Sequence, residues 1–191
     1  MKKLVLLVLL AFSATAFAQV PMRIRATITG LNGDVLAVKT REGRDMNINL
    51  APDAAVATAK SATLAELQGK YVGVTAKEKG GQMFAVEVHA IPPAAPAGHT
   101  PWDLEPGTTM TNANLEMVAM ASGGNEITMT YKDGQKKIVV PPGTPIVVFA
   151  PGSRADLKPG ETIFTIAQQQ TDGRLTSARV SVSKDGVKPP Q

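Results

Sequence analysis

The feature that most constrains this chain is that it repeats itself. GDVLAVKTREGRDMNINLAPDAAV begins at Gly33, and GNEITMTYKDGQKKIVVPPGTPIV begins at Gly124. Each opens on Gly and runs through an alternating segment, Val35 to Thr40 and Glu126 to Tyr131. Each then turns at an acid followed by Gly (Glu42-Gly43, Asp133-Gly134) and enters a second alternating segment. The continuations also correspond. SATLAELQGKYVGVTAKEKGGQMFAVEVHA matches SRADLKPGETIFTIAQQQTDGRLTSARVSV in its order of short turn, Gly, strand, Gly-containing turn and strand. Thr63-x-x-Glu66 has the spacing of a capping box, and Ser153-x-x-Asp156 is a looser version. Gly69 and Gly160 follow, where a helical turn ends most easily in the left-handed conformation.

A further alternating segment precedes each unit, Arg23 to Thr29 and Asn114 to Ala121. Period-two alternation marks half-buried strands. Ile24, Ala26 and Ile28 are expected to face inward, with Arg23, Arg25 and Thr27 outward. Val72, Val74 and Ala76 are expected inside, with Tyr71 and Lys77 outside. Five short strands with a helical turn between the third and fourth is the order of an OB-type Greek-key barrel. The expected fold is therefore all-β: two tandem five-stranded OB-like barrels, each with one short helical turn between strands 3 and 4. The Ala-rich stretch from Ala51 to Ala62 is expected to be loop.

The boundaries follow from the repeat. Residues 1–18 form a signal peptide, 19–91 the first barrel, 92–111 a Pro-rich linker, 112–183 the second barrel and 184–191 a tail. The signal peptide rests on Lys2-Lys3, the apolar run Leu4 to Leu10, and Ala16-Phe17-Ala18 before the cleavage point. The run is too short for a stable membrane anchor. The mature chain is expected in the periplasm, without membrane insertion after cleavage. With no Cys, it has neither a lipid-attachment residue nor a disulfide.

The tandem units, PWDLEPGTTMTNA and the following TYKDGQKKIVVPPGTPIV together resemble exported proteins of Gram-negative bacteria built from tandem OB-like β-barrel repeats of a domain family of unknown function. The resemblance covers most of the mature chain and implies fold and compartment. It carries no catalytic residues. The OB topology is also similar to small periplasmic copper chaperones, which place a His, a Trp and two Met on barrel strands. Here His99 and Trp102 lie between the predicted barrels.

Charge and side-chain chemistry narrow the function. The whole chain carries +4; Lys2 and Lys3 leave with the signal, which leaves +2. The charges are interleaved, without the basic cluster that nucleic acid requires. Nucleophilic catalysis needs a Ser, Cys or Thr beside a base. Ser153 is not in a nucleophile elbow, and His89 sits near a strand end, where a solvent-facing imidazole is expected. No catalytic residue is assigned and no enzyme is expected. His89 and His99 lack zinc-ligand spacing. A soft-metal site for copper could draw on His99 and Met110, while most of the other Met residues suit core positions.

Trp102 is the one Trp of the chain, and with Leu104 it supplies the large apolar side chains of a segment holding Pro92, Pro93, Pro96, Pro101 and Pro106. Burying an indole contributes about 2 to 3 kcal/mol before entropy. Trp102 and Leu104 are therefore expected to anchor the linker onto a barrel, or to contact a ligand. The expected function is a non-enzymatic periplasmic binding or scaffold protein for an unknown protein, peptide or glycan. It needs no cofactor. The alternative is a periplasmic copper carrier using His99 and Met110.

Overall fold

The computed structural model describes residues 21–191; the expected signal peptide lies outside the described residues. The elements are β1 (Pro21–Asn32), β2 (Val35–Thr40), β3 (Asp45–Ser61), α1 (Leu64–Leu67), β4 (Tyr71–Lys79), β5 (Gln82–Ala90) and β6 (Gly98–Pro101). They continue with β7 (Thr108–Ala121), β8 (Gly124–Tyr131), β9 (Gly134–Val140), β10 (Ile146–Pro151), a 3-10 turn (Arg154–Asp156), β11 (Thr162–Gln169) and β12 (Leu175–Val182). The protein is all-β. Among the described residues no helix is long and apolar enough to cross a membrane.

All strands join one sheet system, in the order β12-β11-β1-β2-β3-β10-β5-β4-β7-β8-β9, with β6 off this path against β7. A parallel pairing of β12 with β3, from Leu175↔Ile48 to Val182↔Thr58, closes β12-β11-β1-β2-β3 into a five-stranded barrel. The remaining set β5-β4-β7-β8-β9 is joined end to end by a shorter parallel contact, Met83↔Ile138 and Phe84↔Val139. β10 bridges the two sets, antiparallel to β3 and parallel to β5.

These pairings cross the expected boundaries. Strands of 19–91 do not close on one another, and neither do those of 112–183. β1, β2 and β3 close on β11 and β12, from the other repeat; β4 and β5 pair with β7 and β9. The repeats are interleaved rather than laid end to end. The cause lies in β3. Residues 51–61, expected as loop, continue the strand to Ser61. Ala, Val and Thr there are small or β-branched, and pairing with β12 and β10 on either side outweighs the weak strand preference of Ala. A strand that long carries the chain past its own ring before it turns. In the second repeat the same place holds Pro141-Pro142-Gly143, which splits the path into β9 and β10.

Two cores follow this sorting. One gathers Ile24, Ile28, Leu36, Ile48, Ile163 and Val180. The other gathers Val72, Val74, Leu115, Ile127, Met129 and Ile138. Inward alternation is as expected on β1 and β4: Ile24, Ala26, Ile28, Val72, Val74 and Ala76 are all buried.

α1 follows a strand of the first ring but places Leu64 and Leu67 in the second core; Leu157, after the 3-10 turn, enters the first. Its capping box is complete. The Glu66 N–H donates to Thr63 Oγ1 at 3.3 Å, and the Thr63 N–H donates to Glu66 Oε2 at 2.7 Å. At the 3-10 turn, Asp156 accepts the Ser153 N–H at 2.9 Å.

Candidate functional site: a cleft between the two strand sets

The segment expected as an extended linker is mostly a β-hairpin. β6 pairs with the first rungs of β7, Gly98↔Asn112 to Pro101↔Thr109, and the Trp102 N–H closes the turn onto the Thr108 carbonyl at 2.9 Å. Pro101 lies in the short strand β6, where a missing N–H is tolerated. Thr108 holds the tip together, its hydroxyl reaching the carbonyls of Glu105 (2.7 Å) and Trp102 (3.1 Å).

That tip is held by charged groups from both strand sets. Asp103 accepts from Arg25 at 2.7 Å and from Arg23 at 3.5 Å. Arg41 donates to the Leu104 carbonyl at 3.0 Å, and Lys77 of β4 pairs with Glu105 at 3.4 Å. Partial burial raises the Asp103 carboxyl, but the Arg25 hydrogen bond and the charges of Arg25 and Arg23 outweigh it and hold the group below its ordinary value. Arg25 was expected to face solvent; the hairpin covers it, and it is buried.

Trp102 is half-buried, with the Arg23 guanidinium 4.2 Å from its ring centroid and that of Arg25 5.8 Å away. Its Nε1–H donates to the main-chain oxygen of Gln191 at 3.0 Å. Leu104 is also half-buried, in the hairpin tip.

The tail is docked as well. Lys184 pairs with Asp156 at 2.8 Å, and a short turn through Asp185-Gly186 brings Lys184 and Val187 together. Pro189 and Pro190 are buried. The Gln191 N–H is shared by both carboxylate oxygens of Glu87 at 3.1 Å, and Thr75 donates to Glu87 Oε1 at 2.8 Å. Burial pushes the Glu87 carboxyl above its ordinary value, although the Gln191 N–H, the Thr75 hydroxyl and the charge of Arg25 each pull it down.

Hairpin, tail and strands together enclose a cleft of about 500 Å³. Its walls include Met110 and Trp102 of the hairpin, Phe149 of β10, Phe164 and Ile166 of β11, and Pro190 of the tail. That volume falls within the range of small-molecule sites, roughly 300 to 1,000 Å³. Arg23 and Arg179 line it, and no Asp or Glu does. His89 lines it too.

His89 departs from its expected place. It is buried, and its Nδ1 has no hydrogen-bond partner among the described residues. Gly73 lies opposite it on β4 and makes the space: a Cβ there would stand 2.8 Å from His89 Nε2. Burial pushes the imidazole down to about 4, so it is neutral near pH 7.

The pair proposed for copper is not brought together. His99 stands opposite Thr111, with Nδ1 2.8 Å from Thr111 Oγ1, while Met110 stands opposite Thr100 and lines the cleft. Adjacent strand residues point to opposite faces, so His99 and Met110 look away from each other. Among the described residues, no group of three His, Asp or Glu is placed to hold a metal ion. The His99–Thr111 contact pairs a base with a hydroxyl, but no carboxylate is hydrogen-bonded to His99 among the described residues, and Thr111 is fully buried.

Sequence reasoning missed His89, Glu87, Arg179 and the tail. Glu87 and His89 alternate with Val86 and Val88, the pattern of a solvated face, and nothing local announces that a hairpin and a tail will cover it. Compared with known proteins, the chain matches no family, no curated protein and no solved structure.

Proposed function

We propose that this chain is an exported, periplasmic binding protein without enzymatic activity, whose ligand occupies the cleft between two interleaved OB-like barrels. The observation that carries this is the cleft itself: an apolar cavity of about 500 Å³ walled by both strand sets, the hairpin and the tail. Clefts between packed units are common places for ligands. OB-type barrels bind through one face and its flanking loops, and here the hairpin tip is tied to both sets by Asp103 and Glu105. Trp102 and Leu104 act as anchors of that hairpin, with Trp102 also presenting part of its ring to the cleft.

The compartment is tested by N-terminal sequencing of the protein from a periplasmic fraction. It should begin at Gln19; retention of Met1 would exclude export by this signal. Binding is tested by native mass spectrometry of the mature protein after incubation with periplasmic extract. The exposed Ala97 lines the cleft, so Ala97→Trp should fill it without disturbing either core. A discrete added mass on the wild type that Ala97→Trp loses supports the proposal. An added mass retained by the variant places the ligand elsewhere.

A further inference from the structure

The chemistry of the cleft wall goes beyond the presence of a cavity. Arg23, Ile166 and Arg179 occupy neighbouring positions on three adjacent strands. Arg23 of β1 is the register partner of Ile166 on β11, and Arg179 of β12 precedes Val180, the partner of Thr165. Ile166 is 48% exposed, an apolar side chain left open between two cations. Arg23 is partly engaged, by Trp102 and by Asp103 at 3.5 Å. The Arg179 side chain is exposed and has no ion pair or hydrogen bond among the described residues. His89 also lines this wall, but its unpartnered Nδ1 has almost no accessible surface and is closed to the cleft.

We infer that the cleft takes a small amphiphile with one anionic head, its apolar body against Phe149, Phe164 and Ile166 and its head between Arg23 and Arg179. This rests on the proposal that the cleft is a ligand site and adds the ligand's class. The guanidinium fork suits carboxylate and phosphate oxygens, which it can hold through two parallel hydrogen bonds. A cationic amphiphile would meet two like charges and no Asp or Glu side chain on the lining.

Trp102, the one Trp of the chain, lines the cleft and reports on its contents by fluorescence. The mature protein is titrated with dodecanoate and with dodecyltrimethylammonium, each below its micelle concentration, and stoichiometry is read by native mass spectrometry. Dodecanoate should bind one to one, at least tenfold more tightly than the cation. Arg179→Gln should weaken dodecanoate roughly tenfold, the loss of one charge-assisted hydrogen bond, and Arg179→Lys should restore part of it. Ala97→Trp should abolish it. Equal binding of the two probes, unchanged by Arg179→Gln, would overturn the anionic class and leave the cleft as a site. Dodecanoate binding that survives Ala97→Trp would also overturn it, because the probe would then lie elsewhere. If dodecanoate fails to bind while the wild type retains an extract ligand that Ala97→Trp loses, the ligand class is wrong and the binding function stands. If neither is seen, both are wrong.

Discussion

At the scale of single residues, His89 shows how burial changes what a side chain does. Its folded-state value of about 4 lies below the ordinary value of 6.5. The unfolded chain therefore binds more protons between those limits. Stability from this group is full above about pH 6.5 and is lost as pH falls toward 4. Between pH 7 and pH 5 that amounts to about 2 kcal/mol. Glu87, raised by burial, acts with the opposite sign, since its contribution falls as pH rises through its folded value. The comparison that isolates His89 is urea unfolding of wild type and His89→Gln at both pH values. The wild type should lose about 2 kcal/mol more than the variant; parallel losses would mean the imidazole is not desolvated. Trp102 gives a second expectation. Trp102→Ala removes the stack on Arg23 and the hydrogen bond to Gln191. It should lower stability by about 2 kcal/mol. An unchanged midpoint of thermal unfolding would show that the hairpin is held by its salt bridges alone.

At the scale of elements, the single turn of α1 is too short to be stable by propensity. It persists because Thr63 and Glu66 satisfy each other's N–H groups and because Leu64 and Leu67 are buried. Thr63→Ala should therefore cost about 1 kcal/mol, measured by denaturant unfolding, and a cost near zero would mean the two leucines hold the turn without its cap. The β6–β7 hairpin differs. Its six-residue tip is tied by Asp103, Glu105 and the Leu104 carbonyl to Arg25, Lys77 and Arg41, so its position depends on both strand sets at once.

At the scale of the whole molecule, interleaving makes each half of the chain incomplete. Residues 21–91 supply β1, β2 and β3 without β11 and β12, whose loss leaves the barrel open between β1 and β3. Open edges are prone to pair with other chains. A fragment ending at residue 91 should not be a folded monomer. It should be either unfolded or a dimer that swaps β4 and β5, and adding residues 92–191 should restore one compact species with a single cooperative transition. Size-exclusion chromatography with circular dichroism decides this. A folded, monomeric 21–91 would exclude interleaving as the state in solution.

Much of the fold was legible in the sequence, because alternation is a local property. Val72, Val74 and Ala76 had to share a face, and the order of strands within each repeat follows from its turns. The capping box of Thr63 and Glu66 was legible because it too is local. What the sequence could not express was which strands would pair. β3 reads as an Ala-rich loop until β10 and β12 are placed beside it, and alternation does not say which ring β11 and β12 close. The site was concealed by the same limit. Arg25, Glu87 and His89 sit on polar faces that alternation marks correctly, but whether a polar face meets water or another layer depends on where a distant segment docks. Here the hairpin tip and the tail cover it. A face that would have been solvated thereby becomes the wall of a cleft, with Met110 turned into it and His99 turned away.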